Sequence, residues 1–266
     1  MYKRITTLAS VLVISLALGC GSTGGGGDFN LISIEEEWQL GQQISQDVAK
    51  QVRFSNDAAI NEYVRSMGQR IVAQTQEPFN RLPWEFHVIQ DSSINAFAIP
   101  GGHIYVNTGL IAAAENASEL AGVMAHEISH VTARHTTEQI SRQYGLSVLA
   151  SIILGQDPGA LSQIAAQIIA GGALARFSRE AEREADELGI RAMFRAGYDP
   201  HGMAAMFRVL IAHQQRSPSR VEQFFSTHPT TEERIRNAER RADEMGSTAN
   251  LITDEPQFQS IRSRAG

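Results

Sequence analysis

The sequence predicts an α+β fold that is rich in helix and contains one small β-sheet. Most of the chain beyond residue 31 repeats apolar residues at helical spacing. Only the stretch from 82 to 109 changes to the alternation that is typical of strands. Helices and strands are therefore segregated along the chain, as in an α+β domain.

The composition is that of a globular protein, with 266 residues, 42% of them hydrophobic and 20% charged. This length allows one substantial domain or two small ones. The formal net charge is −6, and there is no basic run. We therefore exclude a nucleic-acid partner, because its phosphates would find no complementary charge.

The first twenty residues differ from the rest of the chain. Two basic residues precede the uncharged run ITTLASVLVISLAL, and the only cysteine, Cys20, follows. This order is typical of a secretory signal. The stretch ALGC resembles a bacterial lipobox, although Leu18 stands where a small residue is usual; a stray cysteine in an ordinary signal is the alternative.

We therefore expect a lipoprotein signal peptide over 1–20, lipidation at Cys20 and a flexible Gly-rich tether over 21–30. A glycine follows Cys20, which resembles the default sorting of Gram-negative lipoproteins to the outer membrane. The expected location is the periplasm, with a lipid anchor in the outer membrane.

Two helices are expected before the sheet. The first opens at Ser33, which has the spacing of a capping box with Glu36. The second covers 57–74, where apolar residues recur on one face. Strands then follow at LPWEFHVI (82–89) and at NAFAIPGGHIYVNTG (95–109), where two strands flank a Pro-Gly-Gly turn.

The rest of the chain is helical between turn signals. Helices are expected from Ser118 to about Arg142, over 145–154, over 158–175, from about Ser178 to Ala196, from Asp199-Pro200 onward, and from Thr230. Thr230 and Glu233 have the spacing of a capping box. From about Thr248 the sequence is polar, so a frayed tail is expected over 248–266.

The stretch VMAHEISHVTARH carries the first chemical signal. On a helix, His126 and His130 share one face, and Glu127 lies one residue along. Imidazoles bind zinc well, and Glu127 could take a proton from water on such an ion. The pattern also arises by chance, but its apolar neighbours predict burial, where polar side chains need partners.

A third ligand is expected in FSREAEREADELG (177–189). Glu180 and Glu184 are four residues apart, as are Glu182 and Asp186. A solvated charged face is the plain interpretation, although like charges at this spacing repel. Alternatively, one carboxylate binds the metal and another holds a ligand histidine by its second nitrogen. Spacing alone does not choose among them.

Four stretches together resemble the HtpX and CAAX-prenyl-endopeptidase family of gluzincin metallopeptidases, and most closely its periplasmic, BepA-like lipoprotein branch. They are NAFAIPGGHIYVNTGL, ELAGVMAHEISHVTARH, SREAEREADELG and FFSTHPTTEERI, from about residue 95 to 236. Their order and spacing are more specific than any one motif. The resemblance implies a zincin-like metallopeptidase domain over 31–247.

The resemblance also implies a role for each matching residue. His126, His130 and Glu182 look like the ligands of one zinc ion. Glu127 looks like the general base. Asp186 looks like the carboxylate that orients a ligand histidine.

Several further residues carry open alternatives. His228, in STHP, either stabilises an oxyanion or resembles a fourth zinc ligand that shuts the site; a loop histidine without a role is the plain alternative. His135 is assigned a structural or supporting role. Arg234 either helps to bind substrate or lies on a helix surface.

The stretch NAFAIPGG looks like the substrate-binding edge of the family, and we tie Asn95, Gly101 and Gly102 to it. An edge strand can pair with an extended peptide. A plain hairpin is the alternative.

Membrane members of the family carry spanning helices before the third ligand, but 144–177 is too short and polar to span. We expect a helical hairpin over the active site there, as a plug or a membrane-facing lid.

The sequence therefore predicts a zinc-dependent endopeptidase with one zinc ion, acting through a metal-activated water. Its expected substrates are misfolded or misassembled cell-envelope proteins, and its expected role is protein quality control. The main alternative is a periplasmic, chaperone-like binding module with a gated, mostly latent peptidase site. A zinc hydrolase that acts on a non-peptide amide is a weaker third possibility.

Overall fold

The computed structural model describes residues 30–171 and 173–266. It confirms a helix-rich α+β fold, with one three-stranded sheet in this part of the chain. The predictions for 1–20 and Cys20 lie outside the described residues, as does nearly all of 21–30.

The elements are α1 (Ile34–Ala49), α2 (Ala58–Val72), β1 (Glu85–Ile89), β2 (Ala96–Ile99), β3 (His103–Asn107), α3 (Thr108–Ala113), α4 (Ala117–Thr132), α5 (His135–Ile153), α6 (Pro158–Ile169), α7 (Arg179–Arg195), α8 (His201–Arg216), α9 (Pro218–Thr227), α10 (Glu232–Glu244) and α11 (Pro256–Ala265), with short 3-10 turns at Phe79–Arg81 and Ala173–Ala175.

The strands lie in the order β1-β3-β2. β1 and β3 run parallel, with Glu85 beside His103. β2 pairs antiparallel with β3 round the turn at Pro100, Gly101 and Gly102, which confirms the two predicted strands. Within the described residues no strand pairs with the outer side of β2, so β2 is an edge strand.

Each face of the sheet supports a hydrophobic core, because successive side chains of a strand point to opposite faces. Val88, Ala98 and Ile104 belong to the larger core, which α2, α4 and α8 complete. Phe97 and Tyr105 belong to the smaller core, together with side chains of α1, α5 and α6. The sheet thus separates the chain into two packed layers of helices.

Helix α4 runs through the larger core, and every residue from Ala117 to Val131 is buried. Its neighbours approach closely. A Cβ atom on Gly122 would lie 2.8 Å from the Cα of Met203 in α8. A helix that is apolar on most of its faces is expected only in such an interior position. Functional side chains on α4 are therefore removed from bulk water.

The prediction of a single helix over 118–142 is wrong. α4 ends at Thr132, and Arg134 adopts the left-handed backbone conformation with φ of 60°. The guanidinium of Arg134 donates to the buried carboxylate of Glu37 and to the carbonyl of Ile32, each at 2.6 Å. Helical periodicity cannot reveal these contacts, because they join segments that are distant in sequence.

Smaller boundary differences occur elsewhere. α5 has a kink at Gly145, with φ of 73°, where the sequence predicts a new helix to begin. α6 ends at Ile169, earlier than expected. The N-cap of α10 is Thr231 rather than Thr230, and its hydroxyl accepts a hydrogen bond from the N–H of Arg234.

Helices α5 and α6 form the expected hairpin. Both pack on α1, and α6 also contacts β2. Their buried side chains, such as Leu149 and Ile168, belong to the smaller core. In the described ranges, none of the helices combines the length and apolar character that crossing a membrane requires.

The C-terminal stretch is folded, contrary to the frayed tail expected over 248–266. Helix α11 buries Phe258 and Ile261 and contacts α2 and α3. The ring centroid of Phe258 lies 6.0 Å from that of Tyr63. The expectation is wrong because two apolar side chains in a polar segment are enough to anchor a short helix to an existing core.

We expect Phe258→Ala to lower the free energy of unfolding by about 3 kcal/mol, because a buried aromatic ring leaves a cavity. Urea unfolding of the full chain, followed by circular dichroism, measures the change. Ser260→Ala, on the exposed face of the same helix, is the control and should change stability by less than about 0.5 kcal/mol. Equal stability of Phe258→Ala and wild type would show that α11 does not belong to the core.

Candidate metal centre

The two histidines of α4 point at one place. Nε2 of His126 lies 3.0 Å from Nε2 of His130, one helical turn further on. Their exposed fractions are 1% and 0%, and Glu127 is 1% exposed. The apolar neighbours along α4 therefore bury all three polar side chains, as the sequence predicts.

Helix α7 brings a carboxylate to these histidines. The Oε1 atom of Glu182 lies 3.4 Å from Nε2 of His130, and its Oε2 lies 3.5 Å from Nε2 of His126. The Glu182 side chain is 2% exposed, whereas those of Glu180 and Glu184 are 80% and 61% exposed. The fold thus separates three glutamates that sequence spacing leaves equivalent.

A third histidine joins the group from the end of α9. Nδ1 of His228 lies 2.9 Å from Oε1 of Glu182 and 3.2 Å from Nε2 of His126. Its Nε2 lies 3.4 Å from Oε1 of Glu127. Since His228 is only 1% exposed, it is not a loop histidine without contacts.

These four side chains fit one ion of the size of zinc. One donor atom from each of His126, His130, Glu182 and His228 lies within 4.8 Å of the others. The separations given above, 2.9–3.5 Å, resemble those of tetrahedral ligands, which stand about 3.3 Å apart when bonds are about 2.0–2.1 Å. Oε1 of Glu127 is buried without a hydrogen-bond partner in the described structure. Imidazole and carboxylate donors favour zinc for such a site.

Asp186 and Arg234 lie behind the histidines. Oδ1 of Asp186 is 2.9 Å from Nδ1 of His126, the ring nitrogen that faces away from the group. Arg234 donates to both carboxylate oxygens of Asp186, at 2.7 and 2.8 Å, and also contacts Glu182. Arg234 is 5% exposed, so its interpretation as a helix-surface arginine is wrong.

Two further side chains contact His130, and the sequence identifies neither contact, although it assigns His135 a structural or supporting role. Nδ1 of His130 lies 2.9 Å from Nδ1 of His135, and the ring of Phe177 stacks on His130 with centroids 3.9 Å apart. His135 follows the backbone reversal at Arg134, so helical spacing could not place it there. Phe177 opens the stretch that carries Glu182, but its sequence gives no sign of this packing.

The end of α6 and the segment that follows it lie near Glu127. Ile168, Leu174 and Phe177 line a cavity of about 10 Å³, whose other walls include Glu127 and Asn95. That volume is enough for about one water molecule. Ile168, Leu174 and Phe177 therefore close this cavity beside β2 and Glu127.

The residues that we tie to the substrate edge lie at opposite ends of β2. Asn95 lines the small cavity. Gly101 and Gly102 lie in the turn at the other end of β2, with φ of 77° and 72°. A Cβ atom on Gly102 would lie 2.7 Å from the ring of Trp38, and glycine is the residue that adopts positive φ without strain. The two glycines shape the turn and are not brought to the histidine group.

Comparison with known protein families agrees with this geometry. The model of peptidase family M48 matches residues 58–242, a span that contains both histidines of α4, the carboxylates of α7 and His228. The chain belongs to peptidase family M48. This result confirms the resemblance to zinc metallopeptidases that the four sequence stretches indicate.

The chain is similar to the beta-barrel assembly-enhancing protease of Escherichia coli K12, with 33% identity over 223 residues. The match covers 80% of this chain and 45% of the relative. The protein of that name from Yersinia pestis is 33% identical over 240 residues, with 87% and 49% covered. The mitochondrial metalloendopeptidase OMA1 of Schizosaccharomyces pombe is 30% identical over 214 residues, with 79% and 62% covered. The chain spans about half the length of the first two relatives.

Burial and charge set the protonation of this M48 site. Burial lowers the pKa of His130 well below its usual range, which favours the neutral imidazole that metals bind. Burial also opposes the charged form of His126, but Asp186 and Glu182 outweigh it and raise the pKa of His126 to about 9. A metal cation in the group would replace the proton on His126. Burial raises the pKa of the Glu127 carboxyl.

We expect Asp186→Asn to weaken zinc binding by about 10- to 100-fold, the usual effect of losing a carboxylate that orients a ligand histidine. Arg234→Gln should weaken it as well, because it leaves Asp186 buried without its cation. Competition with a chelator measures the affinity of the full chain. Arg183→Gln, at a position 48% exposed on α7, is the control and should bind zinc like wild type. Unchanged affinity in both buried variants would show that the pair does not position His126.

Proposed function

We propose that this chain is a zinc-dependent endopeptidase that cleaves misfolded or misassembled cell-envelope proteins. The supporting observation is a buried carboxylate, Glu127, beside converging metal donors in a chain of peptidase family M48. His126, His130 and Glu182 hold the zinc ion. When bound, zinc lowers the pKa of its water to roughly 7 and polarises a carbonyl oxygen.

Glu127 acts as the general base in this proposal. Its Oε1 accepts no hydrogen bond from the described residues, and its side chain lines the water-sized cavity. Burial raises the pKa of its carboxyl, so the carboxylate is more basic than usual, which suits proton transfer near neutral pH. Glu127 takes the proton of the attacking water and delivers it to the leaving amine nitrogen.

The substrate binds along the outer edge of β2. Phe97 and Ala98 of this strand line the cavity beside Glu127. An extended peptide that pairs with a strand edge gains main-chain hydrogen bonds with little demand on its sequence. Oδ1 of Asn95 is buried there and has no hydrogen-bond partner within the described chain, so it is available to a peptide N–H.

The proposed location is the periplasmic face of the outer membrane. The signal pattern over 1–20, the lipobox-like cysteine at Cys20 and the Gly-rich tether over 21–30 support it. Two relatives bear the name beta-barrel assembly-enhancing protease, which supports envelope proteins as substrates. A metallopeptidase domain over 31–247 on such a tether reaches proteins near the membrane surface.

His228 serves as a gate in this proposal. With His126, His130 and Glu182 it completes a set of four donors, and closed four-ligand zinc sites leave no position for water. If His228 moved away, His126, His130 and Glu182 would remain to hold the ion. As the alternative, a displaced His228 donates to the oxyanion that develops on the substrate.

A chaperone-like binding module with a latent peptidase site is the second candidate. The small cavity favours it, since about 10 Å³ admits no peptide in the described conformation. A module that only binds has no use for a buried base. Substitution of Glu127 therefore distinguishes the peptidase from the binding module.

We expect Glu127→Gln to reduce cleavage of unfolded casein by at least about 100-fold, because the base is lost, while zinc content stays at one ion in this group. His126→Ala should lose both that zinc and activity. Glu180→Gln, at an exposed carboxylate of α7, is the control and should keep both. Undiminished cleavage by Glu127→Gln would contradict the proposed mechanism.

His228→Ala extends the same assay. If His228 is a gate, this variant should cleave faster than wild type and should retain zinc through the other three ligands. A fall of about 100-fold or more would instead assign His228 to oxyanion stabilisation. Bound zinc without cleavage in wild type and in His228→Ala would favour the binding module.

A further inference from the structure

Glu85, His87 and His103 form a second cluster of donors, on the sheet and with no residue in common with the α4 group. Glu85 and His87 are two residues apart on β1, so their side chains share one face. The parallel register of β1 and β3 places His103 beside Glu85. The sheet therefore brings three potential metal ligands together from two strands.

The donor atoms of this cluster have the separations of ligands rather than of hydrogen-bond partners. Oε2 of Glu85 lies 3.5 Å from Nε2 of His87 and 3.6 Å from Nδ1 of His103. These distances are too long for good hydrogen bonds. The two imidazole rings are within 9° of parallel, with centroids 5.8 Å apart, and one donor atom from each residue lies within 4.8 Å of the others.

The histidine nitrogens lack the partners that buried polar atoms normally have. His103 is 2% exposed, and neither of its ring nitrogens bonds to any described residue. Nε2 of His87 is also buried and unpartnered within the described ranges. Tyr105 stacks on His87 and Phe54 packs against it at a tilt, which explains the position of the His87 ring, but these contacts do not satisfy its nitrogens.

We propose that Glu85, His87 and His103 bind a second divalent transition-metal ion, of the class to which zinc belongs. Two imidazoles and one carboxylate are a donor set that zinc accepts, with a water as the fourth ligand. The Glu85 side chain is 47% exposed, so the ion and its water reach the cluster from solvent. This inference does not depend on the proposed peptidase activity.

An ion in this cluster joins β1 to β3 through their side chains. β3 is also the strand to which β2 is hydrogen-bonded. The second ion therefore steadies the strand pair that supports the edge strand, without contacting the α4 group. Its effect is on the sheet, and it supplies no group to the proposed reaction.

The test is a count of zinc ions bound per full chain by equilibrium dialysis and elemental analysis. We expect two ions in wild type at saturating zinc. His87→Gln and His103→Gln should each weaken the second ion at least about tenfold, since even residues that only orient ligands have effects of that size. His213→Gln, at a partly exposed histidine of α8, is the control and should keep two ions.

Variants of the α4 group identify which ion is lost. His126→Ala should keep one ion at a zinc concentration that saturates the second cluster, and His126→Ala combined with His87→Gln should keep none. His87 is 23% exposed at its side chain, so His87→Gln tests the proposal even if His103→Gln does not fold. Saturation of wild type at one ion, or retention of two ions by folded His87→Gln, would overturn the proposal. A failure of peptidase activity would leave this count unchanged.

Discussion

The burial of α4 is the constraint on which the rest of the site depends. Because the helix is covered along its length, His126, Glu127 and His130 cannot be satisfied by bulk water and need partners nearby. The surrounding helices supply them, with carboxylates from α7, a histidine from the end of α9 and an arginine from α10. Exclusion of water also strengthens every electrostatic interaction within the group, which is the condition that polarising a peptide bond requires.

Charge balance explains why an arginine accompanies the two carboxylates of α7. Glu182 and Asp186 lie one turn apart, and two carboxylates in a water-poor interior repel each other. Arg234 contacts both. Burial alone would raise the pKa of each carboxyl, but His228 and His126 outweigh it at Glu182, and Arg234 and His126 outweigh it at Asp186. Both therefore stay ionised, one as a proposed metal ligand and one as the group that orients His126.

What the sequence predicts correctly is local. The four-residue spacing of His126 and His130 follows from helix geometry, and alternation marks the strands. The selection of Glu182 needed the family resemblance, since neighbouring glutamates have equivalent spacing. The contact of Arg234 with Asp186 was not predictable, and neither was the reversal at Arg134, because each depends on segments that only tertiary packing brings together. The anchoring of α11 by two apolar side chains was missed for the same reason.

The most direct test of the central claim is anomalous diffraction at the zinc absorption edge from crystals of the zinc-loaded chain. We expect a peak about 2.0–2.2 Å from Nε2 of His126, Nε2 of His130 and a carboxylate oxygen of Glu182. Glu127 should lie beside this peak without binding it. Zinc-loaded crystals with no peak among these three side chains would contradict the metal centre and, with it, the proposed peptidase mechanism.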